Sequence, residues 1–232
     1  MLAVFPHPDD EAWAAGGLLQ RAGEAQLVTL TRGEAGRDHV GGLTGAALAA
    51  RRTDELAAAC DALGVRPPFL LDLPDGGVDA RLAAAALVPL LTDFAPDVVV
   101  GFDRDGGYGH LDHVAGAAAT RDAVNLADSR ACVLGCAFPP DLLAPLRDAF
   151  ARRRPELVHP DYASGDLGSE RADLVLDLTS EEGRRKRRAL AAHASQMRRS
   201  GDAGPDGFLG RGVFQRLCRQ ERFVVLAGQP WW

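Results

Sequence analysis

Leu2-Ala3-Val4-Phe5-Pro6-His7-Pro8-Asp9-Asp10-Glu11 is the stretch whose reading decides the fold. Four apolar residues in a row, without polar alternation, read as a short strand buried on both faces, as in parallel sheets. Two prolines then break the strand, and Pro8 holds His7 towards an extended conformation. Asp9 or Asp10 can act as N-cap for a helix over 11–22, because a short carboxylate side chain accepts from the free N–H groups of a first turn. The strand therefore enters a helix through a turn that carries one imidazole and three carboxylates. Such acids repel one another and resist desolvation unless something positive neutralises them, and a divalent metal is the simplest partner.

Outward from this stretch, short apolar runs alternate with longer amphipathic ones. Residues 26–31 read as a second strand, 32–44 as a glycine-rich loop, and 48–63 as a helix stopped by Gly64 at its C′ position. Residues 69–73 read as a third strand and 80–94 as a third helix, before the continuous apolar run 97–102 around Val98-Val99-Val100. This succession predicts an α/β fold: a doubly wound, mostly parallel sheet with helices on both faces and right-handed crossovers. In such sheets ligands bind beyond the carboxyl ends of the strands, near a topological switch point. Further on, strands are expected over 130–138, 174–178 and 222–226, a helix over 181–197, and loops over 139–168 and 201–212. A single domain over 1–232 is expected, with an α/β core over 1–127 and a loop-rich C-terminal part over 128–232 that completes the sheet and the pocket.

With 232 residues, 47% hydrophobic and 25% charged, the chain can bury a substantial core. A formal charge of −6 speaks against non-specific nucleic-acid binding and against attachment to an anionic membrane. No apolar run approaches the ~20 residues that span a bilayer, and the run 2–5 is far too short for a signal peptide. Cys60, Cys132, Cys136 and Cys218 lie in or near apolar segments and read as reduced, buried thiols of a cytoplasmic protein. Cys132 and Cys136 are too widely spaced for a Cys-x-x-Cys zinc pair, and no second pair lies nearby.

A second cluster, His110-Leu111-Asp112-His113, follows the strand 97–102 as His7 follows the first strand, so both emerge at one edge of the sheet. His7 and Asp10 are three apart across a turn that starts a helix and can converge. Asp9 and Asp10 are neighbours and point in different directions, so one can bind a metal while the other faces a water on it. His113 would complete a set of two histidines and one carboxylate, and three protein ligands with an open position is the arrangement of catalytic zinc. A metal-centred hydrolytic site is expected.

These two clusters resemble the two signature motifs of the LmbE-like / PIG-L zinc deacetylases, which remove N-acetyl groups from small molecules containing N-acetylglucosamine. Thr31-Arg32-Gly33-Glu34-Ala35-Gly36, Arg52-Thr53-Asp54-Glu55 with Leu63-Gly64-Val65, and Lys186 through His193-Ala194-Ser195-Gln196 resemble further family segments, in order. The resemblance implies a Rossmann-like fold and a zinc ion, with ferrous iron as the alternative, held by His7, Asp10 and His113. It implies Asp9 as the general base and a protonated His110 facing the oxyanion or the leaving amine. Asp112 would orient His110 and raise its pKa, Tyr108 would reach the oxyanion, and Arg52 would bind sugar hydroxyls or a substrate anion. Glu11 would cap or orient the first helix. The implied substrate is a GlcNAc conjugate, with precursors of low-molecular-weight thiols such as GlcNAc-malate among the candidates. A malate aglycone would need a cation, for which Arg32, Arg37, Arg52 and Arg104 qualify.

Plainer readings accompany these. Arg52 and Glu55 at i,i+3 fit a surface ion pair, and His39 and His159 fit solvated loops. His193 fits a buried, hydrogen-bonded histidine on a helix. Arg184-Arg185-Lys186-Arg187-Arg188 fits a solvated helix face, since no aromatic residue interleaves it. The glycines of 207–212 lack the preceding strand of a dinucleotide loop, and Trp231-Trp232 is an apolar end suited to burial in the core or in a subunit contact. Hydrolysis of a different amide and non-catalytic metal binding are the rival functions, and self-association is left open.

Overall fold

The computed structural model describes residues 1–162, 167–197 and 211–230. The strands are β1 (Leu2–Phe5), β2 (Gln26–Thr29), β3 (Phe69–Leu70), β4 (Val98–Phe102), β5 (Cys132–Cys136), β6 (Leu174–Asp177) and β7 (Gln220–Ala227). The helices are α1 (Asp10–Arg21), α2 (Gly45–Leu63), α3 (Ala80–Phe94), α4 (Leu111–Leu126), α5 (Ala144–Arg153), α6 (Ser180–Ala192) and α7 (Arg211–Leu217). One sheet runs in the order β3-β2-β1-β4-β5-β7-β6. The first five strands are parallel, and β7 is antiparallel to both β5 and β6. The mostly parallel α/β sheet is the one expected.

Alternation along β1 explains why its sequence is apolar throughout. Ala3 and Phe5 join Trp13, Leu56, Leu63 and Leu190 in a core under α1, α2 and α6. Leu2 and Val4 join Leu87, Leu91, Ala119 and Ala123 in a second core under α3 and α4. Both faces are covered, so neither can be polar. After β1 the chain steps to β2 on one side and later to β4 on the other, which makes the β1/β4 boundary the switch point. The two pair in register, Leu2 with Val99 and Ala3 with Val100, and this brings the segments beyond their carboxyl ends together.

Gly64 ends α2 as predicted, in the left-handed conformation with φ 77°, its N–H donating to the Cys60 carbonyl at 2.9 Å. The four cysteines are buried and unpaired. Several predicted spans shorten: β2 ends at Thr29, β3 at Leu70, β6 at Asp177 and α6 at Ala192 with His193 as its C-cap, while β4 begins at Val98 and β5 keeps only Cys132–Cys136. Two elements depart from the expected loops. α5 forms inside 139–168, carried by Leu146, Ala149 and Phe150, and α7 begins at Arg211 inside 201–212. The rest of that second segment, the glycine run from Gly207 to Gly210 and Trp231-Trp232 lie outside the described residues. Among the described residues no helix is long and apolar enough to cross a membrane.

The arginine-rich run on α6 is solvated as expected at Arg184, Arg185 and Arg188, which surround Glu181. Lys186, the only lysine of the chain, is different. It is fully buried and paired with Glu221 of β7, whose carboxylate also accepts from Gly17 N at 2.6 Å and Leu18 N at 2.8 Å. The pair ties α6, β7 and α1 together. Lys186→Ala would leave a buried carboxylate without its cation, and a loss of about 3–5 kcal/mol in unfolding free energy is expected, read from the urea midpoint at pH 7.

Candidate functional site

The turn after β1 is built by its own carboxylates. Asp10 Oδ2 accepts from His7 N at 2.9 Å, and Asp10 Oδ1 accepts from the indole N–H of Trp13 at 3.2 Å. Asp9, the residue before α1, has φ 123°. The loop after β4 delivers the second cluster. Gly106 has φ 64°, and a Cβ there would lie 2.5 Å from the Cβ of His113, so only glycine lets the loop close over the start of α4. His113 stacks on Phe102 at 4.3 Å and is fully buried.

His7 Nδ1 lies 3.1 Å from His113 Nε2, and Asp10 Oδ2 lies 3.4 Å from each of them. His113 Nδ1 donates to the Gly106 carbonyl at 2.9 Å, which leaves a lone pair on Nε2. His7 Nε2 faces Asp112 Oδ2 and Asp75 Oδ1, each at 3.1 Å, so that nitrogen carries a proton. His113 Nε2, Asp10 Oδ2 and His7 Nδ1 therefore converge on one point, which repels itself unless a cation, a proton or a metal, sits there. Without a metal, the acids around His7 favour a proton there. Burial works against charge on His7, but hydrogen bonds with Asp10, Asp112 and Asp75 outweigh it and hold its pKa well above the ordinary value. The separations match the edge of a tetrahedron with zinc bonds of about 2.0–2.1 Å, about 3.3 Å. The residues fit a metal of this class. Ligand atoms of His7, His110 and His113, and of His7, Asp75 and Asp112, also come within 4.8 Å of one another. Those sets are weaker. His110 Nδ1 already accepts from Asp112 N at 3.1 Å, and the Asp112 carboxylate accepts from Gly76 N at 2.7 Å and Val78 N at 2.9 Å.

Asp9 lines the same cavity, beside Arg52 Nη2 at 3.5 Å. Burial pushes its pKa up to about 7, with Arg52 pulling down and Asp10 pushing up. Asp10 is held at about 2, because His113 and His7 overcome its burial. Tyr108 lines the cavity with its ring 4.9 Å from that of His113, and burial, then Asp10 and Asp9, keep its hydroxyl protonated.

One expectation about the second cluster is corrected. The Asp112 carboxylate lies on His7 and not on His110, because Asp112 sits in the first turn of α4 and its backbone N–H, not its side chain, reaches the His110 ring. For His110 the charged form is disfavoured. Burial, then His113 and His7, push its pKa down to about 2. The neutral ring accepts at Nδ1 and carries its proton on Nε2.

Arg52 is buried, donates to the Gly33 carbonyl at 2.9 Å and the Pro8 carbonyl at 2.6 Å, and lines the cavity. The surface pair with Glu55 is not formed: Glu55 takes Arg51 at 2.9 Å and the Ser195 hydroxyl at 2.6 Å. Arg32 is paired with Asp72, and neither it nor Arg104 lines the cavity, whereas Arg37 does. His39 is exposed and borders the cavity, and His159 is half-buried beside Tyr162. His193 is buried and hydrogen-bonded, as the plainer reading has it.

The sequence reading missed Asp75. It lies in Pro74-Asp75-Gly76-Gly77, which reads as an ordinary turn, and its one signal was position, just beyond β3 at the sheet edge that carries both clusters. It also missed the α5 wall. Leu146, Ala149, Phe150 and Arg153 lie at i, i+3, i+4 and i+7 and face a cavity of about 620 Å³, with the Phe150 ring 5.1 Å from His110.

Comparison with known proteins matches residues 2–124 to the PIG-L family, described as GlcNAc-PI de-N-acetylase. A "1D-myo-inositol 2-acetamido-2-deoxy-alpha-D-glucopyranoside deacetylase" of Mycobacterium sp. (strain KMS) is 33% identical over 268 residues, covering 99% of this chain and 84% of its own. Among solved structures, a conserved protein from Thermus thermophilus superposes with TM-score 0.66 at 21% identity, covering 100% of this chain and 96% of its own. An N,N'-diacetylchitobiose deacetylase from Pyrococcus horikoshii superposes with TM-score 0.65 at 20% identity, covering 97% and 82%. Both share the fold.

Proposed function

The chain belongs to the PIG-L family of de-N-acetylases, and on that premise we propose a metal-dependent N-deacetylase that releases acetate from a small GlcNAc conjugate. The observation that carries this reading is the meeting of His7 Nδ1, Asp10 Oδ2 and His113 Nε2 within 3.4 Å, at a cavity that His7, Asp9, Asp10 and His110 line. These three atoms would hold zinc, with ferrous iron as the alternative. When bound, the metal supplies Lewis acidity, which lowers the pKa of water and polarises an amide carbonyl.

The other steps belong to the chain. Asp9, with a pKa near 7, is matched to taking the proton of the attacking water at neutral pH and returning it to the leaving amine as the C–N bond breaks. His110 in its neutral form would offer Nε2–H to the developing oxyanion, and Tyr108, which lines the same cavity, would be a second donor to it. Asp112 and Asp75 fix the His7 ring through Nε2, the usual way in which a ligand histidine is oriented. Arg52 keeps Asp9 from rising further, through its charge, and borders the sugar.

An anionic aglycone, as in GlcNAc-malate, is supported by Arg37 and Arg153 at the cavity, the latter at the end of the α5 stripe. A cytoplasmic setting fits the four unpaired thiols. A panel of N-acetylated sugars and non-sugar acetamides, scored for free acetate, tests the reading. Release from GlcNAc conjugates alone is expected. Equal release from non-sugar amides would favour a broader amidase, and bound metal with no release on any compound would favour a binding protein.

A further inference from the structure

We propose that Glu11 and His193 are a positioning pair that holds Asp9 in its working orientation, an inference that rests on Asp9 acting as the base. Asp9 has φ 123° and ψ −27°, a conformation that residues with a Cβ rarely adopt and that persists only where the surroundings over-determine it. Its carbonyl is held by the first turn of α1, accepting from Ala12 N at 3.1 Å and Trp13 N at 3.4 Å. Its N–H donates to Glu11 Oε2 at 3.0 Å. With both ends of the residue anchored, its carboxylate stands 3.5 Å from Arg52 Nη2, whereas that of Asp10 meets His7 and His113, and the two acids are free to take different tasks.

Glu11 is itself held from far away in sequence. Its Oε1 lies 2.7 Å from His193 Nε2, and both side chains are fully buried. His193 follows α6 in a tight turn, its carbonyl accepting from Gln196 N and Met197 N, each at 3.0 Å. Its Nδ1 is buried without a partner among the described residues, so the polar contact of the ring is with Glu11 alone. A histidine placed there for packing would be better replaced by an apolar residue, because burying polar groups costs free energy unless they secure something. Neither side chain lines the cavity, so neither touches substrate. They act through Asp9.

The test uses the metal-loaded protein. His193→Ala is expected to lower kcat by about 10- to 100-fold, with KM within roughly twofold and the metal content per chain unchanged. His193→Gln, whose amide N–H can still donate to Glu11, is expected to recover most of kcat. A crystal structure of His193→Ala should show Asp9 leaving positive φ. A kcat for His193→Ala within roughly twofold of the parent, or Asp9 retained at positive φ, would overturn the proposal. If His193→Ala does not fold, Glu11→Met, which removes both acceptors at similar volume, is read by the same two criteria. The crystallographic angle reports on positioning even if Asp9→Asn proves active, so failure of the pair and failure of the base assignment remain distinguishable.

Discussion

Asp9→Asn is expected to reduce acetate release by about 10²–10⁴-fold, the usual contribution of a positioned general base, while metal content stays that of the parent. The amide keeps the size of the carboxyl and the backbone contacts of residue 9, and it cannot accept the proton of water. Asp9 is not among the three atoms that converge on the metal position, so metal analysis of the variant separates loss of the base from loss of the site. Because the carboxylate form is the active one and burial raises its pKa, activity of the parent should rise with pH as that carboxyl ionises. Stability carries the opposite sign. A carboxyl whose pKa is higher in the folded than in the unfolded state contributes stability below the unfolded pKa and loses it as pH rises through the folded one. In metal-free protein, Asp9→Asn should therefore raise the unfolding midpoint more at pH 8 than at pH 5. Full activity in the variant would remove Asp9 from the reaction.

Chelation should abolish turnover, and stoichiometric zinc should restore it. His113→Ala should lose both metal and activity, since two ligands from one turn cannot replace three from both strand ends. Binding should also depend on pH. The acids around His7 favour its protonated form, and a metal at the point where Nδ1 meets His113 Nε2 and Asp10 Oδ2 would have to displace that proton. Since the pKa of His7 is raised, apparent affinity should strengthen with pH across the neutral range, by up to about tenfold per unit below that pKa. Competition with a chromophoric chelator at pH 6 and pH 7.5 measures this. Turnover that survives rigorous chelation would sink the metal mechanism, and affinity independent of pH would show that metal displaces no proton from His7 in this range.

Much of the architecture was legible because apolar period and chain direction are local properties. Leu2–Phe5 and Val98–Phe102 are apolar throughout since both faces of the sheet are covered, and the strand–helix alternation implies which edge the following residues reach. α4 was harder. Its central Ala115-Gly116-Ala117-Ala118-Ala119 carries little contrast between faces, so its existence rests on packing against α3. α5 was masked by the prolines and aspartates around it, and its apolar stripe has meaning only because a cavity faces it.

By itself, the sequence determined that this is a doubly wound α/β protein with a histidine and acids beyond one strand and two histidines and an acid beyond another, and it singled out His7, Asp9, Asp10 and His113. Only the tertiary structure decided the pairings. Asp112 lies on His7, 105 positions away, and not on His110, two away; Asp75 joins them; Glu11 meets His193, 182 positions away. The reason is physical. A motif specifies which groups leave a strand end together, whereas the partner each group finds depends on the first-turn direction of the helix that carries it, and that direction is set by how the helix packs on the sheet.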